Sequence, residues 1–164
     1  MLAALVVALA RALAVAAACG VGFYLALAVF HALTPGINEW HELSRGNAAG
    51  GVIMGAVALA VAVVVRPVVG IQPEVLDVGP ARIVLALLFE GMRLLLGILA
   101  AVVVVSFAVA LTSLLTGELN EKLLVQQGNT AVGWMLAGVI VGAAALLSEP
   151  VSALISLVLR AIFA

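Results

Sequence analysis

Charge is scarce in this chain. Asp, Glu, Lys and Arg together supply 9% of its 164 residues, where a soluble domain carries about 25%. Hydrophobic residues make up 66% of the positions, and the mean hydropathy is +1.38. So few polar groups cannot cover the surface of a dissolved globule, which excludes the soluble classes and points to the lipid bilayer as solvent. The formal net charge of −1 leaves no basic stripe to neutralise phosphates, so a nucleic-acid partner is excluded as well. Cysteine occurs once, at Cys19; an intrachain disulfide is impossible, and the residue reads as a small buried hydrophobe. Histidine occurs twice. The stretch "HELSR" from His41 carries Arg45 where a zinc HExxH motif needs its second histidine, so no metal is expected. There is no P-loop, no GxSxG and no strand-linked GxGxxG. The expectation is a protein that is not an enzyme, with no catalytic, cofactor-binding or metal-binding residue. Trp40 and Trp134 read as interface or packing aromatics.

What the chain does have is length in its apolar runs. Four stretches, 12–33, 47–65, 94–115 and 129–147, are long enough to cross the roughly 30 Å hydrocarbon layer as helices. Between the second and third lies "RPVVGIQPEVLDVGPAR", with three prolines and four charges, a loop outside the bilayer. The last segment, "PVSALISLVLRAIFA", spans only about 22 Å as a helix. It either continues the fourth span past Pro150 or lies in the interface. The apolar N-terminal segment resembles a secretion signal, but it lacks a basic n-region and Arg11 interrupts its core; it reads as retained.

The chain also matches itself at an offset of 82 residues. "TPGINEWHELSRGNAAGGVIMGAV" aligns without gaps to "TGELNEKLLVQQGNTAVGWMLAGV", with identities that include Asn38/Asn120, Glu39/Glu121, Gly46/Gly128, Asn47/Asn129 and Gly51/Gly133. The same offset pairs Arg11 with Arg93. Apolar helices align by chance; polar residues recurring in register do not. The expected fold is therefore all-α and transmembrane, a four-span bundle of two parallel two-helix repeats about a pseudo-two-fold axis along the membrane normal. The first repeat takes residues 1–72, a Pro-rich cytoplasmic linker 73–82, and the second repeat with its C-terminal extension 83–164.

Basic residues orient it. Arg11, Arg66, Arg82, Arg93 and Arg160 go with the termini and the Pro-rich loop, whereas Arg45 and Lys122 alone go with the other two loops. The positive-inside rule then places both termini in the cytoplasm and both motif copies on the opposite face. Arg11 and Arg93 serve as cytoplasmic anchors that snorkel to the headgroups, or as lipid or partner contacts. Glu90, three residues before Arg93, stands at ion-pair spacing.

The duplicated "NE…GN.A.G" at the start of each even helix, with two spans per repeat, resembles the bacterial domain-of-unknown-function family numbered 350, the YjfL-like inner-membrane proteins. The likeness covers nearly the whole chain. It implies a four-span protein of the bacterial inner membrane and brings no established activity, so no catalytic residue carries over. His31 and His41 face Ser113 and Leu123 in the second copy and are given no role.

Physically, Asn38 and Asn120 fit helix N-caps with Glu39 and Glu121 at the first helical position. A helix starting at Asn38 would run to Val65 and hold Asn47 two turns inside it, on nearly the same face as Glu39; Glu121 and Asn129 have the same spacing. Gly46 and Gly50, Gly51 and Gly55, Gly133 and Ala137, and Gly138 and Gly142 form small-residue pairs for helix packing. The two asparagines either hydrogen-bond across the axis or, with Glu39 and Glu121, line a polar vestibule or ion path. The function expected is a homo-oligomer that forms or regulates a permeation path for ions or small solutes. The alternative is a structural or regulatory membrane subunit without transport. Its partners are the lipid bilayer and copies of itself.

Overall fold

The computed structural model describes residues 2–34, 39–68, 80–116 and 121–163. Asn38, Asn120 and most of the Pro-rich linker lie outside the described residues, as do the side chains of Arg11, Glu39, Arg82 and Glu121. Every element described is helical: α1 (Leu2–Leu33), α2 (Glu39–Ser44), α3 (Ala48–Val65) ending in a 3-10 turn (Arg66–Val68), α4 (Pro80–Thr116), α5 (Glu121–Gln126) and α6 (Thr130–Phe163). Four of them contain stretches long and apolar enough to cross a membrane: Val15–Leu33, Ala48–Val68, Leu88–Thr116 and Thr130–Ile162. These match the four expected runs.

The four long helices form a bundle whose neighbours in ring order are α1, α4, α6 and α3, with α3 also touching α4 across the diagonal. The packing of α3 against α6 is the most extensive in the molecule. Its core is aliphatic: Val57 and Ile140 are wholly buried, and Val61 and Val105 nearly so. Gly22 lets α1 in close, since a Cβ there would meet Val61 Cγ1 at 3.0 Å and Ile98 Cγ1 at 3.5 Å.

The helices differ in length. α3 has 18 residues and runs about 27 Å, close to the hydrocarbon thickness. α1, α4 and α6 have 32, 37 and 34 residues, or about 48, 55 and 51 Å. All three outrun α3 at the end of the bundle that carries the termini, here called the terminal end. There α3 stops in the turn Arg66–Val68, and Val68 is buried among Ile155 and Leu159 of α6 and Phe89 and Leu96 of α4. The Ser152 hydroxyl donates to the Pro67 carbonyl at 3.3 Å. Of the two placements open for the last segment, the structure takes the first: α6 runs through Pro150 without a break to Phe163. α4 opens on Pro80, whose missing N–H costs nothing at a first helical position.

The opposite, hairpin end corrects one expectation. No single helix runs from Asn38 to Val65. The chain breaks after Ser44, and α3 begins only at Ala48, with Asn47 as its N-cap at φ −69, ψ 104. Asn47 is thus a junction residue, not one two turns inside a span. The cause is Gly46, held at φ +74, a left-handed conformation that glycine adopts without steric cost.

Candidate functional site

The paired "GN" motifs each build the same junction at the hairpin end. In the first, the Gly46 amide donates to Leu43 O at 3.0 Å and the Asn47 amide to Glu42 O at 3.0 Å. In the second, the Gly128 amide donates to Val125 O and the Asn129 amide to Leu124 O, both at 2.9 Å, with Gly128 at φ +78. This pair of bonds around a left-handed glycine is the Schellman ending of a helix. The asparagine that completes it then starts the next helix. Asn47 Oδ1 accepts from the amides of Ala49 at 3.0 Å and Gly50 at 3.4 Å; Asn129 Oδ1 accepts from Ala131 at 3.1 Å and Val132 at 3.4 Å. One dipeptide therefore closes a short helix and opens a long one.

Beyond the cap, the two copies diverge. The Asn47 amide nitrogen donates to Glu42 Oε2 at 2.7 Å and to Val125 O at 2.7 Å, so Asn47 ties α2 and α3 to α5. Asn129 is exposed, and its amide nitrogen reaches no described residue. The two asparagines do not bond each other. Glu42 is buried at 6% exposure. Its register partner in the second copy is Leu124, so self-alignment gave no signal for it.

The expected packing glycines split three ways. Gly133 is a true helix–helix contact: a Cβ there would lie 2.9 Å from Ala49 Cα and 3.0 Å from Ala49 O. Gly50 and Gly51 face the preceding short helix, where an added Cβ would lie 3.2 Å from Glu42 Cβ and 3.5 Å from Leu43 Cδ1 respectively. Gly55, Gly138 and Gly142 meet nothing within 4 Å. They border the outside of the molecule, where Val52, Gly55 and Leu59 of α3 and Trp134, Gly138 and Val141 of α6 line an open apolar groove of about 480 Å³.

At the terminal end, α4 carries Glu90 at 8% exposure and the half-buried Arg93. Glu90 Oε1 and Arg93 Nε are both buried without a hydrogen-bond partner, so the ion pair that their spacing allows is not made through these atoms. From Thr116, Arg93 and Glu90 lie 23 and 26 residues down the helix, or about 34 and 39 Å. That is just past the thickness of one hydrocarbon layer. The other buried polar side chains satisfy themselves on their own helices: Thr34 donates to Phe30 O at 2.6 Å and Thr112 to Ala108 O at 2.8 Å. Among the described residues no three His, Cys, Asp or Glu side chains gather as metal ligands.

Fold and site together define a multi-pass, all-helical membrane protein with an aliphatic core, two glycine–asparagine junctions at one end and an incompletely bonded charge pair at the other. The family model described as Domain of Unknown Function (DUF350) matches residues 1–151. The chain belongs to that family. No significant match exists among curated proteins or among solved structures.

Proposed function

We propose that the chain is a bacterial inner-membrane protein with both termini cytoplasmic, made of two parallel two-helix repeats. It assembles with copies of itself and forms or regulates a path for ions or small solutes, and it carries out no chemistry. The observation that carries this reading is Glu90: a carboxylate 8% exposed, inside the candidate span Leu88–Thr116, with one oxygen unbonded. At the terminal end of its span, about 39 Å from Thr116, a buried carboxylate suits the mouth of a cation path. Val57, Val61, Val105 and Ile140 fill the middle of a single bundle, so the path runs between chains there and reaches Glu90 only at the terminal end, where assembly or opening uncovers it.

A second reading, a structural or regulatory subunit without transport, is favoured by a specific observation. The oxygen of each motif asparagine is spent on capping its own helix, which leaves less of the motif free to line a vestibule. Ion flux into liposomes separates the two. The purified protein is compared with Glu90→Gln and with the double variant Asn47→Leu/Asn129→Leu, while oligomer size is followed in parallel. The permeation reading expects wild-type flux that Glu90→Gln alters with assembly intact; absence of wild-type flux overturns it. A reporter fused after Ala164 tests the orientation, and periplasmic activity would reverse it.

A further inference from the structure

The two halves of the chain are joined head to tail. Asn47 of the first half donates to Val125 O of the second, and Asn129 makes no return bond among the described residues. α3 lies against α5 and α4; a two-fold relation would require α6 to lie equally against α2 and α1, and among the described residues those pairs have no comparable packing. One face of the first half thus meets a different face of the second.

On α3 the face in question is Ala49, Ile53, Ala56 and Ala60, all buried at 5% exposure or less. On α6 it is Gly133, Ala137, Ile140 and Ala144, likewise buried. Both sets follow the spacing of one helical stripe. The contact is seen directly where Gly133 abuts Ala49, and again where Ala56 and Ala137 border the shared groove.

The 82-residue register carries each stripe onto the other half. The α3 stripe becomes Ala131, Met135, Gly138 and Gly142 on α6: three are exposed and Gly142 is partly so. The α6 stripe becomes Gly51, Gly55, Ala58 and Ala62 on α3, where Gly55 and Ala62 are exposed and the other two partly so. Val125, whose carbonyl accepts from Asn47, is wholly buried; its counterpart Leu43 is 45% exposed. Each end of the chain therefore displays, uncovered, the counterpart of a surface that the interior of the chain shows paired.

We propose that the occupant of both faces is a second copy of this chain, bound so that α6 of one packs on α3 of the next as α3 packs on α6 within each. Asn129 then donates to the neighbour's Leu43 carbonyl, and Ala131 meets the neighbour's Gly51 as Ala49 meets Gly133. Such a heterologous contact repeats from chain to chain and closes into a ring where its rotation permits. Small residues at both faces let the backbones approach as closely as they do inside the chain. The inference rests on the oligomeric part of the function proposed above and not on permeation.

Cysteine cross-linking of the full chain in its membrane tests it, in a Cys19→Ala background. Gly51→Cys with Ala131→Cys in one chain should give, on oxidation, a ladder of covalent oligomers: in the template a Cβ built on Gly133 falls 3.1 Å from Ala49 Cβ, and the slight outward shift that a side chain there enforces brings the pair to the roughly 3.8 Å that a disulfide spans. Either substitution alone should give none. A dimer from a single cysteine would mean a two-fold interface and overturn the proposal, as would the absence of a ladder. Gly55→Leu and Gly138→Leu supply a second arm, since neither glycine has a neighbour within the chain. Each variant alone should be monomeric, and an equal mixture should form dimers and nothing larger. Higher oligomers from either variant alone would refute the arrangement. A ladder without ion flux would leave the head-to-tail contact standing and remove the permeation reading; flux without a ladder would do the reverse.

Discussion

Replacing Asn47 by alanine removes three interactions, whereas the same change at Asn129 removes one. Both lose the N-cap, worth about 1 kcal/mol. Asn47→Ala also takes the donor from Glu42 Oε2 at 2.7 Å, and a hydrogen bond to a charged group contributes about 1.5–3 kcal/mol. It further removes the bond to Val125 O. That carbonyl keeps the Gly128 amide as a partner, so the loss is nearer the ordinary net value of about 0.5–1.5 kcal/mol. The sum is roughly 3–5 kcal/mol for Asn47→Ala against about 1 kcal/mol for Asn129→Ala. Reversible unfolding in mild detergent, at dilutions where the chain is monomeric, measures both. The comparison is internal, because the two sites share a sequence motif and a backbone geometry. Aspartate sharpens it. Asn47→Asp keeps the cap acceptor but sets a second carboxylate against Glu42, while Asn129→Asp places an acid at a helix start opposite Leu124, a change worth about 0.3–1 kcal/mol in its favour. If the two alanine variants differ by less than about 0.5 kcal/mol, the scatter expected of independent sites, the cross-tie from Asn47 to the second half contributes nothing and the reasoning fails.

Other outcomes follow from the same geometry. Gly133→Ala drives a Cβ to 2.9 Å from Ala49 Cα and should destabilise the dispersed chain by about 1–3 kcal/mol through overpacking; Gly138→Ala, with nothing within 4 Å, should leave its unfolding midpoint unchanged. Gly46→Ala and Gly128→Ala, at φ +74 and +78, should each cost about 1–2 kcal/mol for the left-handed backbone, read in the same unfolding assay. Ser152→Ala deletes a single exposed bond to Pro67 O and should shift stability by no more than about 0.5 kcal/mol.

The transmembrane architecture was legible because it rests on length and apolarity, and both are summed over twenty residues. The break before each even span was legible in principle and misread in practice. Gly-Asn is the pairing of a helix-ending glycine with a helix-starting asparagine. It sits so close to the apolar runs of "AAGGVIMG" and "TAVGWMLAG" that the periodicity drew the helix through it. Register alignment found Asn47 and Asn129 and treated them as equals. It had no means of knowing that one faces Glu42 and Val125 while the other faces outward, because that difference arises from how the halves dock. For the same reason Gly133 and Gly55 looked alike in the sequence, though one touches a backbone and the other touches nothing. Glu90 and Arg93 were read as a spacing; only the packing of Phe89, Leu96 and Val68 around that turn of α4 shows that burial comes with it.

The shared glycine–asparagine corner has a consequence for how this end of the molecule can move. Where one residue is both the last bond of α2 and the first of α3, no residue between them is left free to absorb a change of angle. The short helix cannot swing without releasing the cap of the long one, so α2 and α3 turn as a single bent rod, as do α5 and α6. Any motion of this end therefore carries Glu42 and Asn47 along as passengers fixed to the same frame.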